Sequence, residues 1–337
     1  MIKRILYVAF KYEYGRKENG FALNYKAWFH GFEQLGYSIE GVFFEDYDHK
    51  MLQTRIIEKA MNSSIDIVFF ILQKDQVDLD TLKYLSENNV FTVGFFGDDQ
   101  WRFDNWTSIY APYFSACITS DKFSIKKYKE IGQGNIIYSQ WASLEPQKYH
   151  SAPYKYDISF IGSANRYRKW FINFLEKKGI HVECFGYGWK NGRVSYEDME
   201  LIFLQSKINL NISNSISFDF RFMMSSFRSF LSVVKSYLKY DGKNSSQTKA
   251  RNFEIPVHGG FQITDYVPTL EEYFKIGKEI VCYNTIDEVE KLIRFYLIND
   301  YERECIKEAG TKRAREKHTY KARIKNFMVN IDKIYDK

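Results

Sequence analysis

Short apolar runs alternate with amphipathic stretches through the first half of the chain. The apolar runs predict strands and the stretches between them predict helices, which is the pattern of βαβ units and a parallel sheet. The predicted strands are residues 5–10, 38–44, 65–72, 90–96, 116–119 and 135–140. The predicted helices are residues 21–35, 51–61, 80–87 and 122–131.

A polar stretch with two prolines, Pro146 and Pro153, interrupts the alternation at residues 142–155 and predicts a linker. The pattern then resumes with predicted strands at 156–161, 181–185, 208–212, 260–264 and 279–282. The predicted helices of this part are 167–177, 196–205, 248–257, 286–298 and 302–317. We therefore predict a first Rossmann-like domain at 1–150, a second at 151–310, and a C-terminal helix in 311–337 that packs back on the first domain. Two such domains in tandem would place a ligand cleft between them, at the carboxyl ends of their strands.

Residues 214–247 do not fit the alternation and predict a helical insertion in the second domain. Between Phe220 and Tyr240, apolar residues recur at helical spacing while Arg221, Arg228 and Lys235 occupy other faces. The simpler interpretation is a helix that packs its apolar stripe on the domain. The alternative is a helix at a membrane surface or on a partner, which the basic face favours.

The chain has 337 residues, of which 45% are hydrophobic and 27% charged, as in folded globular proteins of two domains. The net charge of +6 fits anionic ligands or an anionic membrane surface. No nucleic-acid-binding motif or concentrated basic patch occurs, so we expect no nucleic-acid partner. The D-x-D match at residues 78–80 precedes a predicted helix, and we expect no metal site.

The four cysteines lie far apart and include no CxxC pair, which predicts neither a zinc site nor a disulfide framework. A reducing compartment is the simplest interpretation. The first apolar run ends at Phe10, too early for a signal sequence or a membrane span. We therefore expect a cytoplasmic protein, either free or in peripheral contact with the inner membrane face.

The strongest chemical signal lies in the second half, where a predicted helix carries Arg251 and Glu254. The helix ends at a glycine pair, and the following strand presents Thr264 and Asp265 at its carboxyl end. The carboxylate of Glu254 beside a cleft could accept hydrogen bonds from both hydroxyls of a ribose. The alternative is a surface ion pair between Glu254 and Arg251, three residues earlier on the same face.

Several segments around this helix occur in a characteristic order. The stretch RNFEIPVHGGFQITDY is followed by LEEYFKIGKEIVCY, YLINDYERECIKEAG and EKHTYKAR. Together they resemble the carboxyl half of group 1 glycosyltransferases of the CgeB-like type, with an R-x-F-E helix, a glycine turn, a strand ending in T-D and a closing H-T-Y-x-x-R. The upstream stretches YDISFIGSANRYRKW, CFGYGW and SKINLNIS are similar to the same family.

The resemblance implies an α/β protein of GT-B fold, with two doubly wound Rossmann-like domains facing a cleft. The second domain would hold a nucleotide-diphosphate sugar as co-substrate, with UDP-sugar favoured, GDP-sugar as the alternative and no tightly bound cofactor. Glu254 falls on the position expected to bind the nucleotide ribose. Retaining relatives often carry another glutamate eight positions earlier, where this chain has Ser246. The resemblance therefore leaves retention or inversion open.

A diphosphate needs positive charge and backbone donors, because the leaving nucleotide gains negative charge. The turn Gly162–Ser163 precedes a predicted helix that begins with Arg166 and Arg168, where amide groups also point outward. We predict that Arg166 or Arg168 contacts the diphosphate; the alternative is a solvated helix start. A second turn, with Gly186 and Tyr187, either lines the nucleotide base or makes a tight connection.

An inverting transfer needs a base for the acceptor hydroxyl. Asp98 and Asp99 follow a predicted strand of the first domain and are the candidates, with an Asp-rich turn or helix cap as the alternative. The loop 15–20, with Arg16 and Lys17, could contact the donor phosphate or an anionic acceptor.

We expect sugar transfer to a saccharide, a lipid-linked acceptor or a protein, in bacterial surface polysaccharide synthesis. Two other interpretations remain open. One is a sugar-nucleotide epimerase, which can share the two-domain architecture. The other is a non-catalytic sugar- or partner-binding scaffold, which the departure at Ser246 favours.

Overall fold

The computed structural model describes residues 2–146, 151–214, 217–238 and 246–336. The chain divides into two compact units. The first comprises Met1–Leu144 with Tyr320–Lys337, and the second comprises Glu145–Thr319. Parts of the predictions lie outside the described residues: 147–150 of the linker, the end of the amphipathic segment at 239–240, and 215–216 and 241–245 of the helical insertion.

The first unit is built on a parallel sheet whose strands follow the order β2-β1-β3-β4-β5-β6. These strands are β1 (Arg4–Ala9), β2 (Ser38–Phe43), β3 (Ile67–Phe70), β4 (Thr92–Phe96), β5 (Ala116–Thr119) and β6 (Ile136–Tyr138). The direction of winding reverses between β1 and β3, so the loops after these two strands flank the switch point where such sheets bind ligands.

Apolar residues on both faces of β1 explain why it lies inside the sheet. Ile5 and Tyr7 pack into one buried core together with Trp28, while Leu6 and Val8 pack into a second core. A strand covered on both faces reads as a continuous apolar run, as the sequence pattern predicted. The helices before β6 are α1 (His30–Gln34), α2 (His49–Ala60), α3 (Leu79–Glu87), α4 (Asp99–Arg102), α5 (Ser108–Tyr110) and α6 (Ile125–Glu130).

The second unit contains another parallel sheet, of order β11-β10-β9-β7-β8. Its strands are β7 (Tyr156–Ile161), β8 (Glu183–Phe185), β9 (Ser206–Asn211), β10 (Gln262–Asp265) and β11 (Val281–Tyr283). Its helices are α7 (Arg166–Lys177), α8 (Tyr196–Leu204), α9 (Phe220–Met223), α10 (Phe227–Leu238), α11 (Arg251–Val257), α12 (Ile286–Ile298) and α13 (Asp300–Lys317). Winding reverses between β7 and β9, which marks the second switch point.

The amphipathic segment is divided, and the prediction of one continuous helix over 220–240 is wrong. Ser225 and Ser226 separate α9 from α10, because their side chains bond to the backbone locally. The hydroxyl of Ser225 donates to the carbonyl oxygen of Phe222 at 2.6 Å, and the hydroxyl of Ser226 accepts from the backbone N–H of Ser229 at 3.1 Å. The second bond is an N-terminal cap for α10.

The last helix, α14 (Tyr320–Tyr335), belongs to the first unit although it follows the second in sequence. Ile324, Phe327 and Ile331 are buried in the core that contains Trp28. The N–H of Tyr320 donates to the carbonyl oxygen of Ser143 at 2.9 Å. Over the part of the chain that the structure describes, no helix is both long and apolar enough to cross a membrane.

Candidate functional site

Four loops meet at the carboxyl edge of the second sheet, because parallel strands all end at the same edge. They follow β7, β8, β9 and β10. The residues that the sequence predicts to bind a nucleotide sugar lie in the first two loops, at the starts of α7 and α11, and at the end of β10. The loops after β7 and β9 flank the switch point, which is where ligands bind in open α/β sheets.

The loops after β7 and β8 are joined backbone to backbone at Gly162 and Gly186. The N–H of Gly162 donates to the carbonyl oxygen of Phe185 at 2.9 Å, and the indole N–H of Trp189 donates to the carbonyl oxygen of Gly162 at 2.8 Å. A Cβ atom on Gly186 would lie 2.4 Å from that same oxygen, and Gly186 has a φ of +121°. Only glycine fits this position without strain.

The loop after β7 leads directly into α7, whose first turn offers groups that suit an anion. Asn165 caps the helix, since its side-chain oxygen accepts from the N–H of Arg168 at 2.8 Å. Ser163 and Arg166 are exposed beside this cap. Exposed hydroxyl and guanidinium groups at the positive end of a twelve-residue helix can hold a phosphate. Tyr187, in the neighbouring loop, is also exposed, and its carbonyl oxygen accepts from the N–H of Ala164 at 2.8 Å.

The guanidinium of Arg168 donates most of its hydrogen bonds to backbone carbonyl oxygens. Its Nε and Nη2 donate to the carbonyl oxygen of Ile212 at 2.9 and 2.7 Å, and Nη1 donates to the carbonyl oxygen of Ser163 at 3.0 Å. Burial lowers the pKa of the guanidinium, and nearby Asp265 opposes this shift. Arg168 therefore holds the loops after β7 and β9 together, and this geometry favours Arg166 for a phosphate contact.

Thr264 and Asp265 form part of a buried polar frame. The carboxylate of Asp265 accepts from the N–H groups of Ser213 and Asn214 at 3.0 and 3.2 Å. Burial raises the pKa of Asp265, and these hydrogen bonds oppose the shift. The hydroxyl of Thr264 accepts from the side-chain amides of Asn211 and Asn252, both at 3.1 Å, and it is fully buried. Their positions favour shaping the loop after β9 over direct contact with a ligand.

Glu254 and Arg251 form the ion pair that one interpretation of the sequence expected, with Nη1 and Oε2 2.8 Å apart. The pair does not lie at the surface, however, because Glu254 is only 4% exposed. Burial raises the pKa of Glu254, and the charge of Arg251 opposes the shift. A buried carboxylate that remains close to a cation is a strong acceptor for ligand hydroxyls.

Ser246 precedes Glu254 by eight positions and contacts the loop after β9. Its hydroxyl accepts from the side-chain amide of Asn214 at 3.0 Å. Ser246 thus takes part in the same loop frame, at the position where the resemblance would have placed a second glutamate.

In the first unit, the two candidate bases occupy different environments. Asp99 is only 2% exposed, and its carboxylate accepts from the hydroxyls of Thr107 and Tyr128 at 2.7 Å each and from Thr119. Burial raises its pKa to about 7, and these hydrogen bonds oppose the shift. The sequence predicted Asp99 as a candidate base for the acceptor hydroxyl. The structure corrects this prediction, because protein hydroxyls enclose the carboxylate oxygens of Asp99. Asp98 is partly exposed at the start of α4 and remains the candidate.

The loop after β1 carries a row of stacked aromatic rings that the sequence analysis did not predict. The rings of Tyr12, Phe21 and Tyr25 stack in succession, with each pair of centroids 5.4 Å apart. Glu45 anchors the loop by accepting from the N–H groups of Lys11 and Tyr12 at 2.9 and 2.7 Å. The recurrence of Tyr and Phe in residues 10–25 was the available signal, but abundant aromatics elsewhere in the chain hid it.

Arg16 and Lys17 in this loop are exposed. They remain candidates for contact with the donor phosphate or with an anionic acceptor. Asp78, part of the D-x-D match, bonds to His49 at 2.8 Å and precedes α3. Within the described ranges, no cluster of three or more His, Cys, Asp or Glu residues is arranged to hold a metal ion.

Residues 166–329 match a family model described as glycosyl transferase-like. The chain is similar in structure to HepE from Anabaena in complex with UDP-glucose, with a TM-score of 0.65, 9% identity, and coverage of 98% of this chain and 99% of HepE. Sucrose-phosphate synthase from Thermosynechococcus elongatus gives a TM-score of 0.64 at 8% identity, covering 99% of both chains.

The pneumococcal O-GlcNAc transferase GtfA, in complex with UDP and GlcNAc, gives a TM-score of 0.54 at 10% identity. The match covers 84% of this chain and 59% of GtfA. No curated protein is detectably similar in sequence. At these identities the likeness establishes the fold, and the predicted GT-B architecture of two parallel-sheet α/β domains is confirmed.

Proposed function

Given a GT-B fold whose second unit is glycosyl transferase-like in sequence, we propose that this protein transfers a sugar from a nucleotide-diphosphate donor to an acceptor hydroxyl. One observation carries the proposal: the carboxyl edge of the second sheet combines a glycine-only loop contact, an exposed helix start with Arg166, and the buried pair of Arg251 and Glu254. These are the features that a diphosphate and a ribose require.

In the donor site, Glu254 would accept hydrogen bonds from the hydroxyls of the nucleotide ribose, and the charge of Arg251 opposes the rise in its pKa that burial causes. The amides at the start of α7 and the guanidinium of Arg166 would hold the diphosphate and stabilise the charge that develops as the glycosidic bond breaks. We propose that these groups act in place of a metal ion. The UDP ligands of HepE and GtfA favour a UDP-sugar, with a GDP-sugar as the alternative.

The first unit would provide the acceptor site, and Asp98 would remove the proton of the attacking hydroxyl in an inverting transfer. The exposed rings of Tyr14 and Phe21 in the loop after β1 offer flat apolar surfaces for sugar rings. This favours a saccharide acceptor, free or lipid-linked, although a protein acceptor fits the same chemistry. We place the reaction in bacterial surface polysaccharide synthesis, at the cytoplasmic face of the membrane.

A thermal-shift screen of UDP, GDP, CDP, ADP and dTDP, with and without their sugars, tests the donor site. A ligand that binds the native state stabilises it, so one nucleotide should raise the melting temperature. Glu254→Gln should weaken that nucleotide about 10- to 100-fold, the cost of losing hydrogen bonds to a charged group. Glu290→Gln is the matched control, because Glu290 also pairs with an arginine in this unit but lies on α12.

The screen also separates the rival functions. A folded protein that responds to no nucleotide contradicts the donor site. Nucleotide binding without turnover on any acceptor favours the scaffold, for which Ser246 provides the structural argument. Conversion of the sugar nucleotide without an acceptor favours an epimerase.

Substitutions of the two arginines of α7 should have different effects on ligand affinity and on stability. Arg166→Ala should lower the affinity for UDP about tenfold and leave the affinity for uridine unchanged, because only the diphosphate needs this charge. Its melting temperature without ligand should fall less than that of Arg168→Ala, because the bond from Nη1 of Arg166 to the carbonyl oxygen of Arg228, 3.2 Å long, is exposed. Arg168→Ala should lower the melting temperature without any ligand, because it leaves the carbonyl oxygens of Ile212 and Ser163 unpaired. Calorimetric titration and thermal melting measure both effects. Equal losses for UDP and uridine in Arg166→Ala would contradict the assignment.

A further inference from the structure

Helix α10 is amphipathic, but its apolar face points away from the protein. Phe227 and Leu238 are 74% and 78% exposed, and Phe230 and Leu231 are exposed beside them. The inward face carries Ser229 and Val233, which are only 3% and 4% exposed. The simpler interpretation of the sequence, in which the apolar stripe packs on the domain, is therefore wrong for the described part of this helix.

The preceding helix continues the same kind of surface. Phe220 and Met224 are 70% and 66% exposed, while Phe222 between them is buried against the rings of Tyr167 and Trp170, with centroids 5.5 Å away in each case. Phe222 thus fastens α9 to α7. We name the exposed large side chains of this segment the apolar surface; they are Phe218, Phe220, Met224, Phe227, Phe230, Leu231 and Leu238. Contiguous apolar area of this kind marks an interaction site.

The charged side chains of α10 are both basic. No acidic residue occurs between Phe220 and Leu238. Arg228 and Lys235 are exposed, and they lie two turns apart along one flank of α10, to the side of Phe227 and Leu231. The acidic side chain at the start of the segment, Asp219, is neutralised by Arg221. Cations that flank an exposed apolar stripe complement an anionic lipid surface.

We propose that α9 and α10 lie in the headgroup region of an anionic membrane, with the apolar surface inserted and the two cations at the phosphate level. The length of α10 is twelve residues, which is too short to span a bilayer but sufficient to lie in its interface. This inference does not depend on nucleotide binding, since it rests on the exposed side chains of α9 and α10. The two regions are neighbours, because Nη1 of Arg166 donates to the carbonyl oxygen of Arg228 at 3.2 Å. An anionic lipid surface is the expected partner, because exposed apolar side chains and basic charges occur together on this segment.

Flotation with phosphatidylcholine vesicles, with or without phosphatidylglycerol, tests the proposal. The wild-type protein should float with the phosphatidylglycerol vesicles, and Phe227→Glu with Leu231→Glu should abolish this. The matched control is Ile298→Glu with Tyr301→Glu, which places the same charges on two exposed apolar residues elsewhere in the second unit and should float like the wild type. Equal flotation of both double variants, or no flotation of the wild type, would overturn the proposal.

A second pair of substitutions separates charge from apolar contact. Arg228→Ser with Lys235→Ser should weaken binding to phosphatidylglycerol vesicles about 30-fold at low salt, from roughly a fivefold contribution by each basic residue near the surface. Raising the salt concentration should reduce this difference. If neither the substitutions nor the salt concentration changed the affinity for phosphatidylglycerol vesicles, this result would contradict an anionic-lipid site.

The other occupant to exclude is a second copy of the chain. Light scattering without vesicles should give the same mass for the wild type and for Phe227→Glu with Leu231→Glu. An assembly that dissociates in this double variant would instead make the apolar surface a self-association face and overturn the proposal. Nucleotide binding by the same variant shows whether the donor site is intact, so failure of the two proposals can be told apart.

Discussion

Gly186→Ala is expected to destabilise the second unit by about 3 kcal/mol or more, because steric and backbone strain add. The new Cβ would lie 2.4 Å from the carbonyl oxygen of Gly162, and the φ of +121° is one that L-residues rarely adopt. Since backbone lies on both sides of this contact, no flexible side chain can move to relieve it. The loops after β7 and β8 must separate.

Gly179→Ala is the control for backbone strain alone. Gly179 has a φ of +74°, but a Cβ there meets nothing within 4 Å, so the cost should be only about 1 kcal/mol. Thermal melting compares stability, and calorimetric titration with the preferred nucleotide compares the donor site. Gly186→Ala should lose affinity even at temperatures where it stays folded, because Ser163 moves with the displaced loop. Equal effects of the two substitutions would contradict the importance of the contact between Gly162 and Gly186.

Asp99 should make the stability of the first unit fall as the pH rises from about 4 to about 7. Burial raises its folded-state pKa to about 7, so the folded protein binds a proton that the unfolded chain has already released in this range. The loss is up to about 4 kcal/mol, because each unit of pKa difference corresponds to about 1.4 kcal/mol. The free energy of unfolding of Asp99→Asn, relative to that of the wild type, should increase between about pH 4 and about pH 7 and then remain constant above pH 7.

Asp98→Asn is the companion variant. Asp98 is partly exposed, and its replacement by an amide should abolish transfer to the acceptor, because an amide cannot take up the proton of the attacking hydroxyl. Melting curves between pH 4 and pH 8 measure the effect of Asp99→Asn on stability, and a transfer assay at one pH measures the effect of Asp98→Asn. Loss of transfer in Asp99→Asn, with Asp98→Asn active, would reverse the assignment of the candidate base.

The strands and the order of the domains follow from the sequence because buried parallel strands are apolar along their whole length. The run from Ile5 to Ala9 illustrates this, since its residues fill cores on both faces of the first sheet. Glycines also give a direct signal, and the loops at Gly162 and Gly186 lie where the prediction placed turns. In both cases a local pattern determines the local structure.

What the sequence could not predict depends on contacts between distant residues. Asp99 is adjacent to Asp98, yet only the packing of Thr107, Thr119 and Tyr128 around it makes one aspartate buried and the other partly exposed. Arg168 likewise depends on a carbonyl oxygen more than forty positions away, at Ile212. Helical periodicity identified α10 as amphipathic, but it could not show which face points inward.

The core of the first unit includes Ile324, Phe327 and Ile331 of the C-terminal helix α14. During synthesis, every residue of the second unit therefore leaves the ribosome before the first unit can complete its core. The order of maturation is the reverse of the order in which the domains begin. A stop codon or a bulky fusion placed near residue 320 should consequently harm the earliest part of the chain to be translated, and leave the later unit able to fold.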